Sequence, residues 1–337
     1  MVGNGAVNVL VDAYLKGFRG FDAGKFYDAI VRSTSENHIK YDWKAYDRCG
    51  YFPYDNPATL VESVSRTLEC CYDDWCTGVL ARKLGHDEDA LFYERRASYW
   101  KNVFDPTYRL MRGRDSLGGW RTPFDPFLIG HFRTGGDFTE GNSWQYTWHV
   151  LHDAQGLIGA MGGKEEFVTK LDSLFTISSQ VRGTGATVDV SGLIGQYAHG
   201  NEPSHHVIYL YTLAGRQDKA AELIHRTWTS QYLDAPDGLS GNDDCGQMSA
   251  WYIFSALGFY PVNPCGGEYV LGAPQLPEMT LHLASGKDFT VTARNISDEN
   301  IYVKSVKLNG QPYNLATISH EDIMKGGTLE FEMSNNK

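Results

Sequence analysis

The chain has 337 residues, 42% of them hydrophobic and 13% aromatic, so it can bury a large core and is not a disordered polypeptide. Its net charge of -11 disfavours nucleic acid and anionic membrane surfaces as partners, because their phosphates would be repelled. No apolar run approaches the ~20 residues of a membrane span, and the 6 cysteines lack the paired spacing of a zinc site.

The first predicted element is an amphipathic helix close to the start of the chain. Val7, Leu10, Val11 and Leu15 recur at the spacing of one helix face. The opening residues carry neither the basic region nor the small-residue cleavage site of a signal peptide. Because the domain begins inside a helix, we expect the sequence to be truncated and to lack earlier helices.

Apolar residues at helical spacing, several of them followed by glycine, predict further helices along the chain. These helices cover residues 24–37, 58–84, 87–104, 142–161, 164–177, 203–213, 217–232 and 244–257. Short turns and long Gly-rich loops join them alternately, which is typical of helical hairpins arranged in a ring with the long loops at one end. The predicted fold is therefore mainly α, an incomplete (α/α)6 toroid.

From about Glu268 the period changes, and apolar residues alternate with polar ones between Gly, Asn and Asp turns. This pattern predicts a C-terminal antiparallel β-sandwich portion. We expect two domains, a helical one over residues 1–265 and a β-module over residues 266–337. Since the module has few strands for two sheets, we expect the facing sheet to come from outside this sequence.

Three segments each place a carboxylate beside Asn and Gly immediately before a helix. They are TEGNSW (139–144), HGNEPSHH (199–206) and GNDDCG (241–246). Any one of them alone would be an ordinary helix cap. Three with the same layout on successive hairpins would open towards the same end of the ring. We therefore predict a shared cleft lined by Glu140, Glu202, Asp243 and Asp244.

The same segments resemble the signatures of glycoside hydrolase family 92, the calcium-dependent exo-α-mannosidases. The resemblance rests on TEGNSWQYTW, HGNEPSHH and GNDDCGQMSAWYIFSALGFYPVNP, and it extends from VDAYLKGFRGFD to the β-tail. One departure is Leu151, where the family usually has proline before His152 and Asp153; we expect it to relax the helix locally. The resemblance implies a secreted or periplasmic protein. It also implies an N-terminal β-sandwich and first barrel helices that this sequence lacks.

The resemblance implies hydrolysis of terminal α-mannosides with inversion, which needs an acid and a base on opposite faces of the sugar, ~6.5–9.5 Å apart. Adjacent acids cannot fill both roles, so Glu140 is the predicted general acid. Partial burial by Trp144 and Trp148 would raise its pKa and keep it protonated. Asp243 and Asp244 form the predicted base side, with Asp244 expected to be the base.

A calcium ion accounts for the remaining acids and amides. Calcium takes six to eight oxygen ligands and can hold vicinal sugar hydroxyls. Asn201 and Glu202 are the predicted ligands, and one of the two aspartates is a further candidate. Histidines are more often structural, and calcium disfavours imidazole. The predicted substrate-binding residues are Trp144, His199, His205 and His206.

Two alternatives stay open at the level of sequence. The chain could be a non-catalytic or inactive fragment that retains carbohydrate binding. It could also be a glycan amidase that uses Cys245, because a helix N-terminus lowers the pKa of a thiol; no sequence feature picks out the histidine that such an enzyme needs. A β-sandwich encoded in frame upstream would favour the mannosidase.

Overall fold

The computed structural model describes residues 2–37, 41–57, 61–129, 136–183 and 189–337. Contacts divide the chain into two compact units: Met1–Asp153 with Ile177–Val190, and Ala154–Thr176 with Ser191–Lys337. The predicted domain boundary at residue 265 stays a prediction. Within the described ranges no helix is long and apolar enough to cross a membrane.

The first unit is helical and is built around one long helix. Its elements are α1 (Ala6–Leu15), α2 (Ala23–Ser33), α3 (Trp43–Cys49), α4 (Ser63–Leu84), α5 (Asp87–Ala97), α6 (Trp100–Val103), β1 (Phe104–Asp105), β2 (Leu110–Met111) and α7 (Ser143–Tyr146). Helices α1, α2 and α5 pack against α4, which is mostly buried and ends at the left-handed Gly85. Residues 58–60 of the helix predicted over 58–84 lie outside the described residues.

A buried ion pair ties several of these helices together. The Arg96 guanidinium of α5 donates to Asp74 of α4 at 3.0 Å, and neither side chain is exposed. Arg96 also lies 4.6 Å from the ring of Trp43, on α3, and donates to the Thr34 carbonyl that follows α2. Removing one partner of such a pair typically costs ~3–5 kcal/mol. Helix α3, which the sequence did not predict, packs through these contacts.

The second unit combines helices with two principal sheets. Its elements are α8 (Ala154–Ala160), α9 (Lys164–Thr176), β3 (Leu193–Ile194), β4 (Tyr197–Ala198), α10 (Leu210–Leu213), α11 (Gln217–Ser230), α12 (Gln247–Leu257), β5 (Phe259–Tyr260), β6 (Glu268–Leu271), β7 (Glu278–His282), β8 (Asp288–Arg294), β9 (Tyr302–Leu308), β10 (Gln311–Pro312), β11 (Thr317–Ser319), α13 (His320–Met324) and β12 (Gly327–Ser334). The strand orders are β10-β9-β12-β8-β7 and β11-β6-β5.

The C-terminal sheet corrects two predictions. Strand β12 pairs with β8 in parallel, so the larger sheet is mixed; its other strand pairs are antiparallel, as predicted for the whole module. The long connection between β8 and β12, which includes α13, returns the chain in the same direction, as a parallel pair requires. The inward residues of β8 and β12 pack in one core with Leu271 of β6 and Ile318 of β11. Facing strands therefore come from within this chain.

Several predicted helices differ from the observed elements. Residues 87–104 form α5 and α6 with a turn between them, and the helix predicted over 24–37 ends at Ser33. Residues 142–161 form α7 and α8 with a turn between them, where the Val150 N–H bonds the Trp148 carbonyl at 2.8 Å instead of continuing a helix. The helix predicted over 203–213 is replaced by the 3-10 turns Glu202–Ser204 and Val207–Tyr209, followed by the short α10. Helix α12 begins at Gln247 rather than at residue 244. The predicted (α/α)6 ring stays a prediction.

Two glycines let the second and third signature segments meet backbone to backbone. A Cβ added at Gly241 would lie 2.4 Å from the Gly200 carbonyl oxygen and 2.6 Å from its Cα. A Cβ added at Gly200 would lie 2.1 Å from Ser191 Oγ and 3.2 Å from the Gly241 Cα. Neither position has room for a side chain. The glycines of HGN and SGN therefore set the distance between the two segments.

We expect Gly241→Ala to destabilise the protein by ~1–3 kcal/mol, because the added methyl group forces the Gly200 backbone away. Gly159→Ala is the matched control, since a Cβ there meets nothing within 4 Å. In helix α8 it should be neutral or stabilise by ~0.5–1 kcal/mol. Urea unfolding measures both changes. A Gly241→Ala protein as stable as the wild type would show that the two backbones are not in close contact.

Candidate active site

Glu140 lies in the first unit, on a loop whose backbone is left-handed at this residue. Its φ is 48°, and its side chain is partly exposed. The chain after it is fixed by Asn142, which caps α7 in a reciprocal box with Gln145. Ser143 Oγ, at the start of α7, donates to the carbonyl of Met111 at 2.6 Å. A left-handed non-glycine residue is costly and persists only where its surroundings impose it, as they do here.

The tryptophans predicted beside Glu140 are buried. Trp144 is 8% exposed and Trp148 is fully buried, and the Trp148 indole N–H donates to the Trp144 carbonyl at 2.9 Å. Burial raises the pKa of Tyr146 well above its usual value, and the nearby charges of Glu69 and Glu140 add to this effect. Glu140 therefore lies near the Tyr146 ring, which the Glu69 carboxylate also approaches. The elevated pKa of Glu140 and the contact of Trp144 with sugar stay predictions.

Asp243, in the second unit, caps a helix. Its Oδ1 accepts from both the backbone N–H and the hydroxyl of Ser249 at 3.0 Å, and Ser249 is the third residue of α12. The formal N-cap, Gly246, supplies no side chain. The capping function that the sequence left open for both aspartates therefore belongs to Asp243.

Asp244 is held differently from its neighbour. Asp244, Cys245 and Gly246 are all left-handed, with φ of 45°, 58° and 92°. The Asp244 side chain is exposed, and in the part of the chain that the structure describes no residue donates a hydrogen bond to its carboxylate. Such backbone strain concentrates at functional sites. Both aspartates are exposed, but Asp243 is engaged in capping α12, so Asp244 is the carboxylate at this junction that is available to a reactant.

His199 is bonded within the protein through both ring nitrogens. Nδ1 lies 2.8 Å from the Tyr197 hydroxyl, and Nε2 lies 2.8 Å from the Tyr232 hydroxyl. Because Tyr232 donates to the Met248 carbonyl, its oxygen accepts from Nε2–H, and Tyr197 donates to Nδ1. Burial lowers the pKa of His199 well below its usual value. These contacts favour a structural role, and its contact with substrate stays a prediction.

His205 connects the second signature segment to α12. Its Nε2–H donates to the His199 carbonyl at 2.8 Å, and its Nδ1 accepts from the Gln247 amide at 3.2 Å. Burial lowers its pKa to about 4, although the Asp244 charge acts in the opposite direction. Gln247 was not singled out from the sequence, where its only signal was its place in the GQMSAW segment. His206 is buried as well, and the sugar contacts of both histidines stay predictions.

Asn201 and Glu202 lie side by side where HGNEP enters a 3-10 turn. Asn201 is 6% exposed, and its Oδ1 accepts from the Glu202 N–H at 3.2 Å. Their amide and carboxylate oxygens are hard donors, which fits calcium. Within the described ranges no three His, Cys, Asp or Glu side chains form a metal-binding group. A calcium ion held here would therefore need backbone carbonyls and water as well, which calcium accepts.

The second unit brings residues 199–206 and 241–247 together through the Gly200–Gly241 contact and the bonds of His205. It thus joins two of the three signature segments that the sequence singled out. Glu140 and Trp144 belong to the first unit. The cleft predicted to combine Glu140 with the two aspartates stays a prediction.

Comparisons with known proteins agree on one family. The family model described as "Glycosyl hydrolase family 92 catalytic domain" matches residues 1–335. The family GH92 alpha-mannosidase BT3965 from Bacteroides thetaiotaomicron is 42% identical, with a TM-score of 0.92 for its complex with mannoimidazole; the match covers 100% of this chain and 44% of that one. The Family GH92 Inverting Mannosidase BT2199, from Bacteroides thetaiotaomicron VPI-5482, is 36% identical with a TM-score of 0.88 and is covered to 46%, again over 100% of this chain.

A sequence relative from Arthroderma benhamiae, called "Uncharacterized secreted glycosidase", is 31% identical over 98% of this chain and 45% of its own length. The chain thus spans less than half the length of the relatives that it matches. Because the family match extends over residues 1–335, the chain belongs to glycosyl hydrolase family 92.

Proposed function

We propose that this chain is part of a glycoside hydrolase that removes terminal α-linked mannose from glycans. Membership of the family and the mannosidase names of the similar structures support this substrate. The observation that carries the proposal is the junction at residues 243–249. There Asp243 caps the helix, whereas the exposed carboxylate of Asp244 accepts no hydrogen bond from the described residues.

Hydrolysis then proceeds with inversion. The Glu140 carboxyl donates its proton to the glycosidic oxygen as the bond to the anomeric carbon breaks. The Asp244 carboxylate accepts a proton from the water that attacks the opposite face of that carbon. Asp243 fixes the start of α12 and so orients its neighbour. The similarity to a structure named as an inverting mannosidase supports this stereochemistry.

The proposal includes a calcium ion bound by Asn201 and Glu202. The ion would hold vicinal hydroxyls of mannose and supply positive charge beside the ring. The Asn201 side chain is already oriented by its bond to the Glu202 N–H, so its oxygen needs little reordering to bind a cation.

Family membership also supports proposals about the rest of the fold, the location of the protein and its substrate. The helices would form part of an (α/α)6 ring, completed by an N-terminal β-sandwich and further helices. A location outside the cytoplasm is supported by the relative named as secreted. The substrate would be a glycan such as an N-glycan or a mannan.

Asp244→Asn should lower kcat by ~10²–10⁴-fold without loss of stability, because a positioned base contributes about that much. Asp243→Asn is its matched control. Its amide oxygen can still accept from Ser249, so we expect a stability change of ~1 kcal/mol or less and a smaller loss of kcat. The measurements are kcat on an α-mannoside and urea unfolding, in the protein encoded by the whole reading frame that contains this chain. If both variants keep the wild-type kcat, the junction is an ordinary helix cap.

Removal of calcium should abolish activity, and added calcium should restore it. Asn201→Ala and Glu202→Gln should each weaken calcium affinity, measured by titration calorimetry, at unchanged unfolding midpoints in the absence of calcium. Activity that survives thorough chelation would remove the metal from the proposal. A protein that binds mannose but hydrolyses no α-mannoside would instead support the non-catalytic alternative.

A further inference from the structure

The loop that leads into Glu140 is held by a buried carboxylate that the proposed mechanism does not use. Asp137 is 6% exposed. Its Oδ2 accepts from Arg121 Nε at 2.6 Å, and its Oδ1 accepts from Arg121 Nη2 at 2.7 Å and from Ser63 Oγ at 2.8 Å. A bidentate arginine–carboxylate pair fixes orientation as well as distance.

The arginine of this pair is itself fixed. Its backbone N–H donates to the Gly113 carbonyl at 2.8 Å, and its guanidinium lies 3.8 Å from the centre of the Tyr54 ring. A Cβ at Gly113 would lie 2.3 Å from the Asp137 carboxylate, so the site has room for the carboxylate only because residue 113 is glycine. Contacts to both the arginine and the carboxylate therefore fix the position of the Arg121–Asp137 pair.

The backbone of Asp137 also completes the start of helix α4. Its carbonyl accepts from the N–H groups of Val64 and Ser65, at 2.9 and 3.1 Å. Glu62, the N-cap of α4, makes no side-chain cap and is left-handed. The Thr139 N–H in turn donates to Ser65 Oγ at 2.9 Å. Residues 137–139 are therefore bonded to the first turn of a 22-residue helix.

Glu140 follows this anchored stretch directly and precedes the Asn142 capping box. Its left-handed backbone is imposed by the anchors on either side. We propose that the Arg121–Asp137 pair is the positioning pair of the general acid: it holds the loop so that the Glu140 carboxyl meets the glycosidic oxygen. The inference rests on the proposed role of Glu140. A displacement of about 1 Å at such a group can cost ~10²-fold in rate.

Leaving-group dependence separates positioning from mere stabilisation. Methyl α-mannoside needs a proton on its leaving oxygen, whereas 2,4-dinitrophenyl α-mannoside does not. A displaced acid therefore slows the first substrate and spares the second, while a merely destabilised protein slows both equally. The protein to be tested is the one encoded by the whole reading frame that contains this chain.

Asp137→Asn should lower kcat on methyl α-mannoside by ~10–100-fold and kcat on the dinitrophenyl substrate by less than ~3-fold, with KM unchanged. Arg121→Lys keeps the charge but loses the bidentate geometry, so it should show the same pattern of rates. If Asp137→Asn does not fold, Arg121→Lys replaces it as the test variant. The matched control is Asp125→Asn, which removes the exposed Arg182–Asp125 pair at 3.1 Å and should change neither rate.

Glu140→Gln is the reference variant and should discriminate between the two substrates more strongly than either positioning variant. If it does, but the Asp137 and Arg121 variants lose both rates equally or neither rate, the positioning proposal is overturned and the general acid stands. If Glu140→Gln shows no discrimination, Glu140 is not the acid, and both proposals fall.

Discussion

A left-handed backbone at two acidic residues is the constraint around which both candidate loops are organised. Glu140 and Asp244 have φ of 48° and 45°. Residues other than glycine seldom adopt this conformation, and aspartate adopts it more readily than glutamate. At each residue a neighbour does the capping, Asn142 for α7 and Asp243 for α12. The acid is thus not used as a cap. Its position is nevertheless fixed, because the capping neighbour anchors the loop to a helix.

Two close contacts that support these loops depend on glycine. The Gly200–Gly241 contact in the second unit and the Gly113–Asp137 contact in the first each depend on a missing side chain. Around them, buried polar groups are bonded to one another: His199 to two tyrosines, and His205 to a carbonyl and to Gln247. Buried networks of this kind give a rigid support to the residues above them.

The sequence predicted the parts of the fold that depend on a strong local period. Helices α9 and α11 begin at their predicted residues and end within two residues of prediction, and strand β6 begins at Glu268, where the alternating pattern was predicted to start. It failed where distant groups decide the local structure. The helix predicted over 142–161 is interrupted where Thr147 Oγ1 accepts a hydrogen bond from the backbone of β2. The parallel β12–β8 pair depends on a long connection that brings the chain back alongside β8, and no local sequence pattern indicates it.

For the candidate site, the sequence identified the three segments but not the role of each residue within them. Which of Asp243 and Asp244 caps α12 depends on Ser249, and the tautomer of His199 depends on Tyr232, which lies 33 residues away in the sequence. The Arg121–Asp137 pair was not predicted either, because a pairing across 16 residues leaves no periodic signal.

The central claim is that one carboxyl protonates the leaving oxygen while another activates water on the opposite face. The most direct measurement follows the anomeric proton of released mannose by NMR, in the protein encoded by the whole reading frame that contains this chain. An α-mannoside should yield β-mannose first, with the α anomer appearing only as mutarotation proceeds. Release of α-mannose as the first product would contradict the account, since retention requires a carboxylate that attacks the sugar itself.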